Sequence, residues 1–376
     1  MLRISGRPWL LCFSMCLAGL IMAPAPAVTQ PLKPISVIVF PGGFNWPIWV
    51  AQEKGLFDRN GIAVTVTPTP DSKFQLTNLI DGKFDIAMTA IDNVIAYMEG
   101  QGAAPTSQTP EIFAFMGADN GFLRLVTIPE VKNYDGLKGR QLSVDAMTTG
   151  YAFVLRKLLE KGGLKSSEIE FVSAGGVMQR FQALLEKKHA GTLLISPFEV
   201  GAEARGFNRL ANADEALGRY QGLVGAARRS WARDNEKDLV GYIRAYVDAL
   251  DWLFDPANKL EALAVFRKNL PNISEDLANK SYEIMLHPTK GFTRRAELDV
   301  EGVKTVLELR SEYAEPAQAA GRAGQILRFA ILRPSACAVM TQLCARRECD
   351  SYVPQVDWDG SWALPQGELL RPVGGH

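Results

Sequence analysis

The feature that most limits the fold is an alternation of short apolar strands with helical segments, run through twice. The first pass opens with a predicted strand over Ile35–Phe40 and the loop Pro41-Gly42-Gly43-Phe44. A helix follows, with Asn45 placed as its N-cap and Pro47 in its first turn. Strand Ile62–Thr67, helix Phe74–Ile80, strand Phe84–Thr89, a helix opened by Asp92, strand Ile112–Met116 and the run Leu123–Ile128 complete the pass. The second begins after Asp135: strand Gln141–Val144, helix Tyr151–Lys161, strand Glu170–Val172, helix Val177–Leu185, strand Thr192–Ile195 and helix Phe198–Ala204. Alternation of this kind demands mainly parallel sheets joined by right-handed crossovers, so the fold class is α/β with two doubly wound lobes. Ligands in such sheets bind beyond the carboxyl ends of the strands, where the strand-to-helix loops gather. From Asp234 to Tyr313 the pattern is helical, over Glu236–Phe254, Leu260–Asn269, Glu275–Met285 and Val300–Tyr313, with amphipathic spacing that fits scaffolding packed on a sheet.

The N-terminus sets the compartment. Arg3 and Arg7 form a basic start, Trp9 to Met22 is an apolar stretch too short to span a bilayer, and Ala25-Pro26-Ala27 has the small-x-small pattern of a signal-peptidase site. Residues 1–27 are therefore expected to be a cleaved signal peptide, and the mature protein to be periplasmic. Cleavage would take Arg3 and Arg7 from a chain with 41 basic and 41 acidic residues and leave a net charge of −2. Neither form has the basic face that phosphate neutralisation requires, which argues against nucleic acid as a partner.

No G-x-S-x-G, H-E-x-x-H, C-x-x-C or Walker A run occurs, and no G-x-G-x-x-G opens a helix. The three histidines, His189, His287 and His376, form no cluster for a metal. Two of the five cysteines lie in the signal and the others, Cys337, Cys344 and Cys349, beyond the helical region. An exported α/β chain without a nucleophile–base set is more suited to binding than to reaction. The expectation is a non-enzyme with no cofactor and no metal.

Three motifs carry a resemblance. Gly55-Leu56-Phe57-Asp58-Arg59-Asn60-Gly61-Ile62 resembles the "GLF…GI" step of solute-binding proteins of the nitrate/sulfonate/taurine (NitT/TauT) class of ABC importers, which includes binders of thiamine precursors. Asp81-Gly82-Lys83-Phe84-Asp85-Ile86-Ala87 is similar to that family's "G-x-x-D-I/V-A/G" strand. Tyr134-Asp135-Gly136-Leu137-Lys138-Gly139-Arg140 is similar to its "D-L-K-G-K" approach to the second lobe. The resemblance implies a type II periplasmic-binding-protein fold, with two lobes joined by two hinge strands and closing over a ligand. It places lobe 1 at residues 28–119 plus 227–313 and lobe 2 at 120–226. It also implies a monomer that captures a small-molecule ligand, a small organic solute or an oxyanion, and delivers it to an ABC permease in the inner membrane. Residues 314–376 depart from the family pattern and read as an atypical tail or the product of a shifted reading frame. An enzyme of thiamine-pyrimidine synthesis on the same fold, or a periplasmic sensor module, is the alternative. The enzyme would depend on a Cys-rich motif and a reactive His that the core lacks.

The loops themselves nominate the ligand contacts. Phe44, Asn45 and Trp46 offer an aromatic wall and an amide at a carboxyl edge. Thr148, Thr149 and Tyr151 do the same in the second lobe, where a helix start with free N–H groups suits an anion. Gly175 and Gly176 permit close backbone approach. Asp92, Asn93, Asp119, Asn120, Phe198 and Glu199 add carboxylates that favour a cationic or nitrogen-rich solute. Each of the three carboxylates has a structural alternative: Asp92 as an N-cap, Asp119 as a hinge-turn residue, Glu199 as a first-turn acid favoured by the helix dipole.

Overall fold

The computed structural model describes residues 31–314. The expected signal peptide and the tail with its three cysteines lie outside those residues. Ten strands build two sheets: β1 (Lys33–Val39), β2 (Ile62–Pro68), β3 (Ile86–Ala90), β4 (Ile112–Gly117), β5 (Arg124–Thr127), β6 (Gln141–Val144), β7 (Glu170–Ser173), β8 (Gly191–Leu194), β9 (Asn208–Asn212) and β10 (Leu223–Arg228). The first sheet runs β2-β1-β3-β10-β4 and the second β7-β6-β8-β5-β9. Within the first, β1 is parallel to β2 and β3, and β10 is antiparallel to both β3 and β4. Within the second, β6 is parallel to β7 and β8, and β5 is antiparallel to β8 and β9.

The helices of the first lobe follow its strands: α1 (Trp46–Glu53), the single turn α2 (Leu56–Arg59), α3 (Ser72–Ile80) and α4 (Ile91–Met98). The second lobe carries α5 (Gly150–Lys161), α6 (Val177–Leu185), α7 (Phe198–Glu203) and α8 (Ala213–Leu217). The chain then returns through α9 (Arg229–Asp234), α10 (Glu236–Phe254), α11 (Lys259–Asn269), α12 (Glu275–Met285) and α13 (Val300–Tyr313). No helix among the described residues is long and apolar enough to cross a membrane. The caps have local causes. Asp71 accepts from the Phe74 N–H, Ser274 from that of Leu277 and Asp299 from that of Gly302, each relieving a donor at a helix start. Asn45 does not act as the expected N-cap: its side chain turns back, donating to the carbonyls of Phe40 (2.7 Å) and Gly42 (3.1 Å), and so fixes the loop before α1 instead.

Two differences from the sequence reading matter for the site. Leu223–Arg228 stands in the first sheet, although residues to 226 were assigned to the second lobe, and β9 was not anticipated. The stretch Leu-Val-Gly-Ala-Ala-Arg of β10 is poor in β-formers, yet its smallness lets it slip between β3 and β4. A Cβ on Gly225 would lie 2.6 Å from the Phe115 ring. Phe115 is fully buried and cannot swing aside. The substitution Gly225→Val should therefore destabilise the protein by about 1–3 kcal/mol through overpacking, read as a lowered urea midpoint with unchanged m; an unaltered midpoint would refute this account of the strand.

Candidate functional site

The chain passes between the sheets twice, from β4 to β5 and from β9 to β10, and Asp119 fastens the two passages together. Its Oδ1 accepts the N–H groups of Gly121 (2.8 Å) and Leu223 (3.1 Å), one from each passage. Its backbone carbonyl accepts from Gly222, and the Gln221 amide donates to the carbonyls of both Asp119 and Leu223. The carboxylate is fully buried, and its Oδ2 has no partner. Desolvation pushes its pKa up to about 6, against the pull of the two N–H donors. Asp119 is thus engaged by the backbone of both passages. Asn120 lies beside it, its N–H on the Gly291 carbonyl, and does not reach the cavity described below.

Asp92 is also committed to structure. Both its oxygens accept from one nitrogen of Arg310 on α13, at 2.8 and 2.9 Å, in a pair excluded from solvent. Gly150, first residue of α5, donates its N–H to the same carboxylate. Burial pushes the Asp92 carboxyl up, and Arg310 and the Gly150 N–H oppose it. A Cβ at Gly150 would sit 2.5 Å from the Asp92 side chain, which explains why glycine opens α5. Asp92 therefore joins α4, α13 and α5 and is not free to meet a cationic solute.

Between the lobes lies a cavity of about 40 Å³, with room for a few waters or one small solute. The first lobe contributes Phe40, Phe44, Ala90, Asn93 and Leu223 to its wall; the second contributes Asp145, Thr149, Gly150, Tyr151, Val177, Arg180 and Ile195. The site thus forms where strand ends of the two sheets face one another. Besides the Gly150 N–H on Asp92, backbone groups join the lobes around it at two further places. The Ser72 N–H donates to the Asp145 carboxylate (3.1 Å to Oδ2), and the Gly176 N–H to the Pro70 carbonyl (2.8 Å).

Of the residues nominated from sequence, Phe44, Asn93, Thr149 and Tyr151 stand together in the cavity wall. The Asn93 amide is held by Thr89 Oγ1, the Thr149 hydroxyl donates to the Ala146 carbonyl, and the Tyr151 hydroxyl has no partner. Burial raises the Tyr151 phenol well above its ordinary value. The others stand elsewhere. Trp46 is fully buried beneath α11 and α12, its indole N–H on the Ala262 carbonyl and its ring 4.4 Å from that of Phe266, because an aromatic at the first position of α1 faces the helical layer. Thr148 turns its carbonyl toward Arg310, and Gly175 and Gly176 serve the contact with Pro70. Phe198 packs on Phe181, and Glu199 is buried against the Ser196 hydroxyl, with burial raising its carboxyl.

Sequence reasoning missed Asp145 and Arg180, the charged pair of the cavity. Both had a legible signal. Asp145 is the first residue after β6, at a carboxyl edge. Arg180 lies three residues from Val177 and four from Leu184, on the buried stripe of α6. Its guanidinium donates to the carbonyls of Gly175 (2.8 Å) and Leu193 (3.4 Å). Burial lowers the pKa of Arg180 and raises that of Asp145, and each group's field pulls the other back.

Comparison with known proteins follows from this geometry. Residues 45–259, more than half of the chain, match the family model described as NMT1/THI5 like. The structure is similar to the periplasmic nitrate-binding protein NrtA of Synechocystis PCC 6803, at 12% identity over 83% of this chain and 89% of that one, with a TM-score of 0.68. It is similar to the alkanesulfonate-binding protein SsuA of Xanthomonas axonopodis pv. citri, bound to MOPS, at 13% identity over 74% and 91%, with a TM-score of 0.60. It is equally similar to a ligand-binding component of an ABC-type import system from Staphylococcus aureus, at 13% identity over 74% and 91% and a TM-score of 0.60. No curated protein matches the chain. The fold is the two-lobed periplasmic-binding-protein fold, as the motifs implied.

The two buried carboxylates give separate expectations. The folded state holds the Asp119 proton up to about pH 6, whereas an unfolded chain releases it near 3.8, so in between the unfolded state binds fewer protons and stability falls as pH rises. Ionisation costs the fold about 3 kcal/mol by neutrality. Asp119→Asn keeps the Oδ1 acceptor and removes the titration. Its Tm relative to wild type should climb between about pH 4 and pH 6, and a difference independent of pH would contradict the assignment. Asp92→Ala strands Arg310 and should cost about 3–5 kcal/mol in chemical denaturation; a loss below 1 kcal/mol would mean that the pair is not held in the folded protein.

Proposed function

The chain belongs to the NMT1/THI5-like family, and from that premise we propose that it is the periplasmic substrate-binding component of an ABC importer. It captures a small organic solute or oxyanion, as a monomer, and presents the closed form to a permease in the inner membrane. The observation that carries this reading is the cavity itself, walled by both lobes at facing strand ends, with two chain passages fastened by Asp119 at its hinge. On this reading lobe 1 is the first sheet with its returning helices, lobe 2 is the second sheet, and Phe44, Asn93, Asp145, Thr149, Tyr151 and Arg180 touch the ligand. The nitrate-binding and alkanesulfonate-binding proteins of similar fold support capture as the role. No covalent step is required. A ligand that touches both lobes binds the closed form better than the open one, and that difference alone drives closure.

The test is a thermal-shift screen of the mature protein against sulfonates, aromatic carboxylates, pyrimidines and polyamines, followed by small-angle scattering of any hit. A ligand at a hundredfold excess over Kd adds about 2.7 kcal/mol of stability. A hit should raise Tm, reduce the radius of gyration and lose at least tenfold in affinity in Tyr151→Ala. Conversion of a bound compound to product, or a hit whose affinity ignores Tyr151, would sink the proposal.

A further inference from the structure

The cavity holds one buried cation and one half-buried carboxylate that do not pair with each other. Arg180 and Asp145 both line it, yet no ion pair within 4.0 Å joins either to any group among the described residues. Arg180 is 4% exposed. Two backbone carbonyls engage its terminal nitrogens, and its Nε has no partner. Asp145 accepts the Ser72 N–H, at 3.1 and 3.4 Å. Buried charges are costly unless paired. A monoanion in this cavity would satisfy Arg180 and confront Asp145, and a monocation would do the reverse. Apart from Asn93, Thr149 and the Tyr151 hydroxyl, the rest of the wall is mainly apolar, with the rings of Phe40, Phe44 and Tyr151 among Ala90, Val177, Ile195 and Leu223. Such a wall rewards a flat hydrocarbon body, not a small hydrated ion.

We propose that the ligand is amphoteric, a ring compound carrying an acidic group for Arg180 and a basic group for Asp145. The inference rests on the capture reading above and names the solute class for the same cavity. With both ends present, the two charges of the cavity are met by one molecule; its ring lies on the aromatic wall with the lobes parted further than here, since the space now enclosed, about 40 Å³, holds only a few waters. Because Asp145 also takes the Ser72 N–H of the opposite lobe, a basic group on it sits at the seam that closure forms.

The experiment uses four probes of similar size on the mature protein, measured by isothermal titration: 4-(aminomethyl)benzoate, its 3-isomer, 4-methylbenzoate and 4-methylbenzylamine. The better zwitterion isomer should bind at least tenfold more tightly than either truncated probe. Asp145→Asn should erase its advantage over 4-methylbenzoate, and Arg180→Gln its advantage over 4-methylbenzylamine, while the melting of each ligand-free variant reports whether it is folded. No advantage for either zwitterion in the wild type, weak binding of all probes included, overturns the amphoteric assignment. If 4-methylbenzoate binds as well as the zwitterions and Arg180→Gln still weakens it, that assignment falls and capture in the cavity stands. If binding ignores both substitutions in folded variants, the cavity is not the site and both readings fall.

Discussion

A dry ion pair sits where three helices of this protein converge. Asp92 and Arg310 are both removed from solvent, and taking two charges out of water costs several kcal/mol per ion before their attraction returns any of it. The pair is tolerable because the geometry is close and because the start of α5 adds a second donor at the positive end of its own dipole. A greasy replacement could fill the volume, but it could not specify which helix turn meets which. Registry is what the pair contributes: α13 is fixed on α4, and the start of α5, whose first residues Gly150 and Tyr151 line the cavity, is fixed to both. The pose of the cavity wall thus depends on a contact outside it.

The same logic separates the carboxylates. Asp119 accepts from backbone N–H groups and faces no cation, so its burial raises its pKa. Asp92 has its guanidinium. Asp145 has a backbone donor from the other lobe and the field of Arg180. Sequence presents all three as acids at the end of a strand or in the loop or turn beyond it, and composition cannot tell a hinge staple from a clamp or a cavity wall. Their partners lie far off in sequence, at Leu223, Arg310 and Ser72.

What was legible and what was not follows from how local each cause is. Strands β6 and helices α6, α10, α12 and α13 stand at the residues their periodicity marks, because a buried stripe or a β-branched run is a property of neighbours. Strand β10 escaped because it is selected by smallness under Phe115, a constraint from a strand about a hundred residues earlier. Most of the cavity wall escaped for a related reason. Trp46 was the obvious aromatic beside a carboxyl edge, yet the helices after residue 258 return to cover it, while Phe40 and Phe44 from the same loop remain at the wall. For Arg180 the signal is its place on the apolar stripe of α6, where a cation is held away from water.

The position of β10 between β3 and β4 bears on the order in which the molecule can assemble. The second sheet is drawn from one uninterrupted stretch, β5 to β9, and can close on itself as soon as that stretch is available. The first sheet cannot. Its strands β1, β2 and β3 have no connection to β4 until Leu223–Arg228 arrives and pairs with both sides at once. For a chain that emerges from its N-terminus, the lobe begun first is the lobe completed last, and until then it presents two open strand edges. Premature pairing of those edges is the hazard that such a late keystone brings.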